Sequence, residues 1–242
     1  MLRYLYLVVV LSLILVSSGW SGINDGLAGY WSMDAGNGDK VADASGKGND
    51  GIAKDCKWVD GKFSKALEFN GTTSIVDIPY FPDVTPNEGV TMSAWVLPTD
   101  TTRSCVIGQF EGYGLALFDN LQLKSVIWGD DWVSTQTLTA QEWSHIAMTW
   151  DVKNNERNIF VNGKRVDNKK GFIPIPNVLN GLGIGLWVGW PAEWGDDVFM
   201  GIIDEVKLWT RTLTDDEIGQ SLQPATVESH GKLATTWGNV KI

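Results

Sequence analysis

Apolar residues that recur every second position, closed by an Asn-Gly pair, most constrain what this chain can fold into. In W-S-H-I-A-M-T-W-D at 143–151, Ile146, Met148 and Trp150 alternate with His145, Ala147 and Thr149. In N-I-F-V-N-G-K at 158–164, Ile159 and Val161 flank Phe160. Successive side chains of an extended chain point to opposite faces, so this period predicts two strands packed in a sheet. Asn162-Gly163 supplies two consecutive positive-φ positions, which predicts an antiparallel hairpin. A third run, F-M-G-I-I-D-E-V-K-L-W at 199–209, predicts a buried strand near the C-terminus.

Other short apolar runs lie between Gly, Pro, Asn or Asp clusters, among them 50–59, 65–69, 74–78, 90–97, 104–109, 113–118, 121–128 and 182–190. Many short strands at this spacing, with no helical period between them, predict an all-β protein, a two-sheet antiparallel sandwich or jelly roll. One short helix is predicted after the last strand. Thr214 caps it, Glu217 completes a T-x-x-E capping box, Leu213 and Ile218 form a hydrophobic staple, and Pro224 ends it. Ile218 and Leu222 are expected to dock this helix on the sheet edge.

Hydrophobic residues make up 43% and charged residues 20% of the 242, which suits one globular domain with a sizeable core. The first residues read as a secretory signal peptide over 1–18: Arg3, an apolar run to Val16, then small residues, with Val16 and Ser18 suited to a cleavage site. A membrane anchor is the competing reading, although a span needs ~20 apolar residues. The expected organisation is then a segment at 19–26, a domain over 27–224 and a tail over 225–242. A formal net charge of −10 repels nucleic-acid phosphates and excludes that class of partner. Cys56 and Cys105 are a candidate disulfide, worth ~4 kcal/mol in the loop-entropy picture, with two buried free thiols as the alternative.

Several segments in order resemble the laminin-G-like, concanavalin A-like jelly-roll superfamily. They are Y-W-S-M-D at 30–34, V-A-D-A-S-G-K-G-N-D-G at 41–51, K-A-L-E-F-N-G at 65–71, V-T-M-S-A-W-V at 90–96, the strand pair at 143–164, and G-I-I-D-E-V-K-L-W at 201–209. The resemblance runs from about residue 27 to 222. It implies two curved antiparallel sheets, as found in extracellular modules that bind glycans or proteins and in relatives that hydrolyse polysaccharides. It also implies one structural calcium ion between an N-terminal loop and the last strand, which here would involve Asp34 or Asp43 with Asp204. The oxygen-rich, Gly-rich stretch Asp43 to Gly51, including Asn49, fits a calcium loop as well as it fits ordinary turn chemistry.

Asp204-Glu205 is a carboxylate pair, as glycoside hydrolysis requires, yet neighbours on a regular strand face opposite ways and cannot converge on one bond. The Glu-x-Asp-x-x-Glu run of the hydrolytic relatives is missing from the sequence. His145 and His230, the only histidines, lack a second histidine at metal spacing. Among the 13 tryptophans, Trp128 and Trp132 flank Gly129-Asp130-Asp131, and Trp187, Trp190 and Trp194 lie in or beside W-V-G-W-P-A-E-W. Indoles beside carboxylates suit sugar rings, which present an apolar C–H face and a hydroxyl rim. Trp128, Asp130, Trp132, Trp190 and Trp194 are therefore the candidate ligand surface, with cover for a sheet edge as the alternative. The reading as a whole is a secreted binding module for an extracellular glycan. A hydrolase or lyase of the same fold and an adhesion module for surface proteins are the alternatives.

Overall fold

A computed structural model describes residues 22–84, 88–189 and 197–225. The predicted signal peptide, Trp190, Trp194, His230 and the tail beyond Ala225 lie outside the described residues. Strands β1 (Leu27–Trp31), β2 (Lys40–Val41), β3 (Gly51–Lys54), β4 (Lys57–Asp60), β5 (Lys65–Asn70) and β6 (Ile75–Ile78) come first. Then follow β7 (Gly89–Pro98), β8 (Ser104–Gly108), β9 (Tyr113–Phe118), β10 (Gln122–Ile127) and β11 (Trp132–Thr137). The last are β12 (Ser144–Asp151), β13 (Glu156–Val161), β14 (Lys164–Lys170), β15 (Leu182–Ile184) and β16 (Met200–Trp209), with helix α1 (Asp215–Gln220) after them. Among the described residues no helix is long and apolar enough to cross a membrane.

These strands form two antiparallel sheets of eight. The first runs β14-β13-β12-β7-β16-β5-β4 with β1 also on β16, and the second runs β11-β10-β9-β8-β15-β6-β3-β2. The predicted period decides which face each side chain takes. Ile146, Met148 and Trp150 of β12 join Met92, Ala94 and Val96 of β7 in one core with Leu115 and Leu117 of β9 and Leu123 of β10. Tyr113 meets Trp150 edge-on across this core, with ring centroids 5.9 Å apart. Asn162 and Gly163 take φ of 49° and 77°, so the β13–β14 hairpin closes as expected.

The helix also forms as expected, and both hydrogen bonds of its capping box are present. It docks beside the edge strand β14, where Arg165 pairs with Asp215 of the helix and the Leu222 side chain lies against Gly163 of the β13–β14 turn. From there Ile218 and Leu213 reach inward over Ala147, Phe160 and Trp209 on the outer face of the first sheet.

Asp204 and Glu205 do not alternate as neighbours on a regular strand do, because a β-bulge interrupts β16 there. Pairing of β16 with β7 shifts between Asp204 and Lys207, and Glu205 has φ of 54°. The extra residue leaves Ile203, Val206 and Leu208 in the core and turns Asp204, Glu205 and Lys207 onto the outer face. There Tyr30 Oη donates to both oxygens of Glu205 at 2.9 Å, and Lys207 Nζ reaches Glu205 at 3.1 Å. Lys207 also donates to the carbonyls of Ser221 (3.0 Å) and Gln223 (2.8 Å), and Trp95 Nε1 donates to that of Leu222 (3.0 Å). The chain after α1 is thus strapped over the polar cluster. Asp204 accepts the Phe63 N–H at 3.0 Å on one oxygen, while its Oδ1 is buried without a hydrogen-bond partner.

Cys56 and Cys105 are both free thiols, so the expected disulfide is absent. Cys56 lies just after β3, where its Sγ contacts the carbonyls of Lys54 and Ile75, and Cys105 is on β8. In the second sheet β6 and β15 separate those strands, a span of about 14 Å that no disulfide bridges. The sequon residue Asn70 organises the β5–β6 turn: its Oδ1 accepts the N–H groups of Thr72, Thr73 and Ser74.

Two measurements check this account. Burial pushes the Cys56 thiol up to about 11 and the fully buried Cys105 thiol well above its ordinary value. A thiol reagent at pH 8 is expected to react slowly with the folded protein and to find two equivalents after denaturation without reductant; a missing pair would show a disulfide. The second concerns pH. Burial raises the Asp204 carboxyl to about 7, so between pH 4 and 7 the folded chain holds a proton that the unfolded chain has released. That contribution is present below pH 4 and is lost as pH rises through 7. Burial depresses His145 to about 3, which acts oppositely between pH 3 and 6.5 and flattens the wild-type profile. Asp204→Asn should therefore gain on wild type between pH 4 and 8, by on the order of 4 kcal/mol, when stabilities are compared by denaturant unfolding. A difference that does not change with pH would refute the assignment.

Candidate functional site

The outer face of the second sheet carries a cavity of about 340 Å³ between the β8–β9 turn, the end of β10 and Trp187. Small residues make it. Cys105 pairs with Ala116 and Gly108 with Gly114 across β8 and β9, and the Trp187 ring lies in the trough they leave. A methyl group added at either glycine would collide with that ring. Glycines inside strands are costly unless another group must approach the backbone closely, and here that group is an indole.

The turn at 109–112 holds the next wall. Gln109 is buried, and its Nε2 donates to the carbonyls of Val178 (3.2 Å) and Asn180 (2.7 Å), while Asn180 Nδ2 donates to the Phe110 carbonyl at 3.0 Å. The Trp128 N–H donates to the Gly112 carbonyl at 2.9 Å. These bonds bring the Phe110 and Trp128 rings edge to face, 5.4 Å between centroids. Trp128 remains 42% exposed, an accessible indole at the cavity mouth. Lys124, bonded to Asp131 at 2.7 Å, and Asp197 complete the polar lining.

The structure divides the predicted ligand set. Trp128 lines the cavity. Asp130 turns away and binds Arg157, a side chain with no exposure that donates to the Asp130 carbonyl at 2.7 Å and to its carboxylate at 3.2 Å. Burial opposes ionisation of Asp130, but the Ile173 N–H and the Arg157 and Lys169 charges outweigh it and hold the carboxyl below its ordinary range. Trp132 flanks the same guanidinium, 5.8 Å from ring centre to Cζ, and packs against the main core. Asp130 and Trp132 therefore hold the loop that presents Trp128. Sequence reasoning missed Gln109, Phe110 and Asp197 and did not single out Trp187; the glycine spacing in β8 and β9 was the available signal.

The predicted calcium ligands do not fit a cation cage. Asp43 spends its carboxylate on the N–H groups of Tyr30 (3.0 Å), Ser45 (2.9 Å) and Asn49 (2.9 Å), which is turn chemistry. Asn49 Nδ2 donates to the Ala28 carbonyl, Asp34 accepts from the Lys65 N–H, and Asp204 is in the buried cluster above. Among the described residues no group of three or more His, Cys, Asp or Glu side chains is arranged to hold a metal. His145 is also sealed in: its Nε2 lies 3.4 Å from Ser221 Oγ, which itself donates to the Ile218 carbonyl.

A family profile described as the concanavalin A-like lectin/glucanases superfamily matches residues 70–219. The chain belongs to that superfamily. No curated protein matches it. Among solved structures, domain 4 of AbnA, a GH43 extracellular arabinanase from Geobacillus stearothermophilus in complex with arabinotriose, superposes with TM-score 0.66 at 20% identity. That match covers 81% of this chain and 98% of that one. The binding domain of Paraclostridial Mosquitocidal Protein 1 gives TM-score 0.66 at 18% identity over 82% of this chain and 52% of that chain. Trypanosoma rangeli sialidase in complex with sialic acid gives 0.60 at 17% identity over 82% of this chain and 32% of that chain. At these identities the likeness is one of fold, and the match spans only about half of the toxin domain and a third of the sialidase.

The Trp187 seat makes a direct prediction. Gly114→Val overfills the trough and should cost about 1–3 kcal/mol while displacing the indole. Thermal melts and tryptophan emission read the two effects; a variant with unchanged melting and emission would contradict the packing.

Proposed function

We propose that this protein is a secreted carbohydrate-binding module that holds a sugar in the Trp128–Phe110–Trp187 cavity and releases it unchanged. One observation carries the reading: an accessible indole, fixed edge-on by a second aromatic ring, stands over a cavity with carboxylate and amide groups at its rim. Sugars present stacked C–H faces and lateral hydroxyls, so an aromatic wall supplies affinity and the polar rim supplies orientation. The volume falls at the small end of ligand pockets, which favours recognition of one or two sugar units over a long chain. The arabinanase domain with bound arabinotriose supports a binding role for this architecture. The apolar first residues and the acidic balance support export and solubility outside the cell.

The carboxyl groups favour binding without turnover. Glycoside hydrolysis needs one carboxylic acid kept protonated beside a second carboxylate. Of the carboxyl groups that line the cavity among the described residues, Asp131 is engaged by Lys124 at 2.7 Å, Asp197 faces Arg103 at 3.5 Å, and Glu111 stands on the exposed turn. The carboxyl that burial raises towards neutrality, Asp204, is enclosed on the outer face of the other sheet, out of reach of this cavity.

A glycan array combined with a reducing-sugar assay tests the proposal. Retention without product is expected. Trp128→Ala should weaken binding by about 2 kcal/mol, roughly thirtyfold, with the melting temperature unchanged. Release of reducing ends, or full retention by a folded Trp128→Ala variant, would overturn it.

A further inference from the structure

The charges around the cavity narrow the class of sugar. Among the described residues three carboxylates line it, those of Glu111, Asp131 and Asp197, against the ammonium of Lys124, with the Arg103 guanidinium behind Asp197. Lys124 is already committed, 2.7 Å from Asp131 and 5.5 Å from the Phe118 ring centre. Asp197 is largely covered, and Arg103 Nε stands 3.5 Å from its Oδ1, which is buried without a hydrogen bond. That oxygen belongs to the Arg103 ion pair, and what remains exposed of the Asp197 side chain faces the cavity, where a carboxylate largely withdrawn from water favours a charged donor. The aromatic walls add attraction of the same sign, because ring faces are electron-rich and draw cations.

Resting on the sugar-binding reading, we propose that the ligand is an amino sugar with a free, protonated amine, a glucosamine-type unit, in preference to its N-acetylated or uronic acid counterpart. The ammonium points to Asp197 and Glu111 while a ring face lies against Trp128. A uronate would bring a fourth negative charge into the same space, and an N-acetyl group would replace three charged donors with one neutral one.

The test compares short oligomers of glucosamine, N-acetylglucosamine and a uronic acid by calorimetry at 0.15 M salt. The glucosamine oligomer is expected to bind at least tenfold more tightly than the acetylated one, with the uronic oligomer weakest. Asp197→Asn and the exposed-loop variant Glu111→Gln should each lower glucosamine affinity about five- to tenfold and leave any N-acetylglucosamine binding unchanged. Melting curves confirm that each variant folds. Equal binding of the free and acetylated oligomers, indifference of both variants, or preference for the uronic oligomer would overturn the amine assignment. In each case Trp128-dependent retention of some glycan would leave the sugar-binding reading standing. Glucosamine binding that survives Trp128→Ala would be general attraction to a protein of net charge −10, and it too overturns the assignment. No Trp128-dependent retention of any glycan would remove the underlying reading together with this one.

Discussion

Burial of two sheet faces against one another governs the rest of this molecule. Strands β7, β12 and β16 present an uninterrupted apolar surface to β8, β9 and β10, and nothing polar can enter that layer without losing its hydrogen bonds to water. The charged side chains of the central strands are consequently forced outward, while Ser125 of β10 faces inward with its hydroxyl unpartnered, and each outer face must be covered, solvated or used. The two faces resolve this differently.

On the first sheet the outward groups are sealed. The bulge at Glu205 lets β16 carry two carboxylates and a lysine on one side while its apolar residues stay in the core. Tyr30, Lys207 and Trp95 then tie the cluster to the chain after α1. Buried charges of this kind contribute little net stability, and removing one partner would leave the other costly, so they specify where the C-terminal strap lies. On the second sheet the outward residues shrink to Gly, Ala and Cys, and the space they leave admits Trp187 and the cavity beside it. The face lined with small residues opens the larger space, about 340 Å³, whereas the strap leaves about 200 Å³ beside Lys207 and Trp209.

The fold was legible because it rests on local signals. The two-residue period at 143–161, the Asn162-Gly163 turn and the Thr214–Glu217 capping box each act through neighbours in sequence, and each appears where expected. The failures share the opposite cause. A bulge at Glu205 depends on the pairing of β16 with β7, and the distance between Cys56 and Cys105 depends on the order β3-β6-β15-β8. Neither is a property of adjacent residues. In the candidate site, Trp128 could be read from its own loop, whereas Gln109, Phe110 and Asp197 join it only through sheet order and the hydrogen bonds of the 178–180 segment.

Asp130 shows how a wrong reason can still point to the right loop. Its position between two tryptophans suggested a ligand acceptor, yet its carboxylate serves Arg157, a guanidinium enclosed between the Trp132 and Phe172 rings. Breaking such a pair strands a buried charge, at a cost of about 3–5 kcal/mol, so the loop at 128–132 is held rigidly against the strand β13 of the opposite sheet. Rigidity there bears on the proposed recognition of a sugar. A sugar offers few atoms, and ordering a loose aromatic side chain around it would consume much of the gain from stacking. By fixing the backbone two residues from Trp128, the Asp130–Arg157 pair pays that entropy during folding, so the proposed sugar would meet a cavity already shaped.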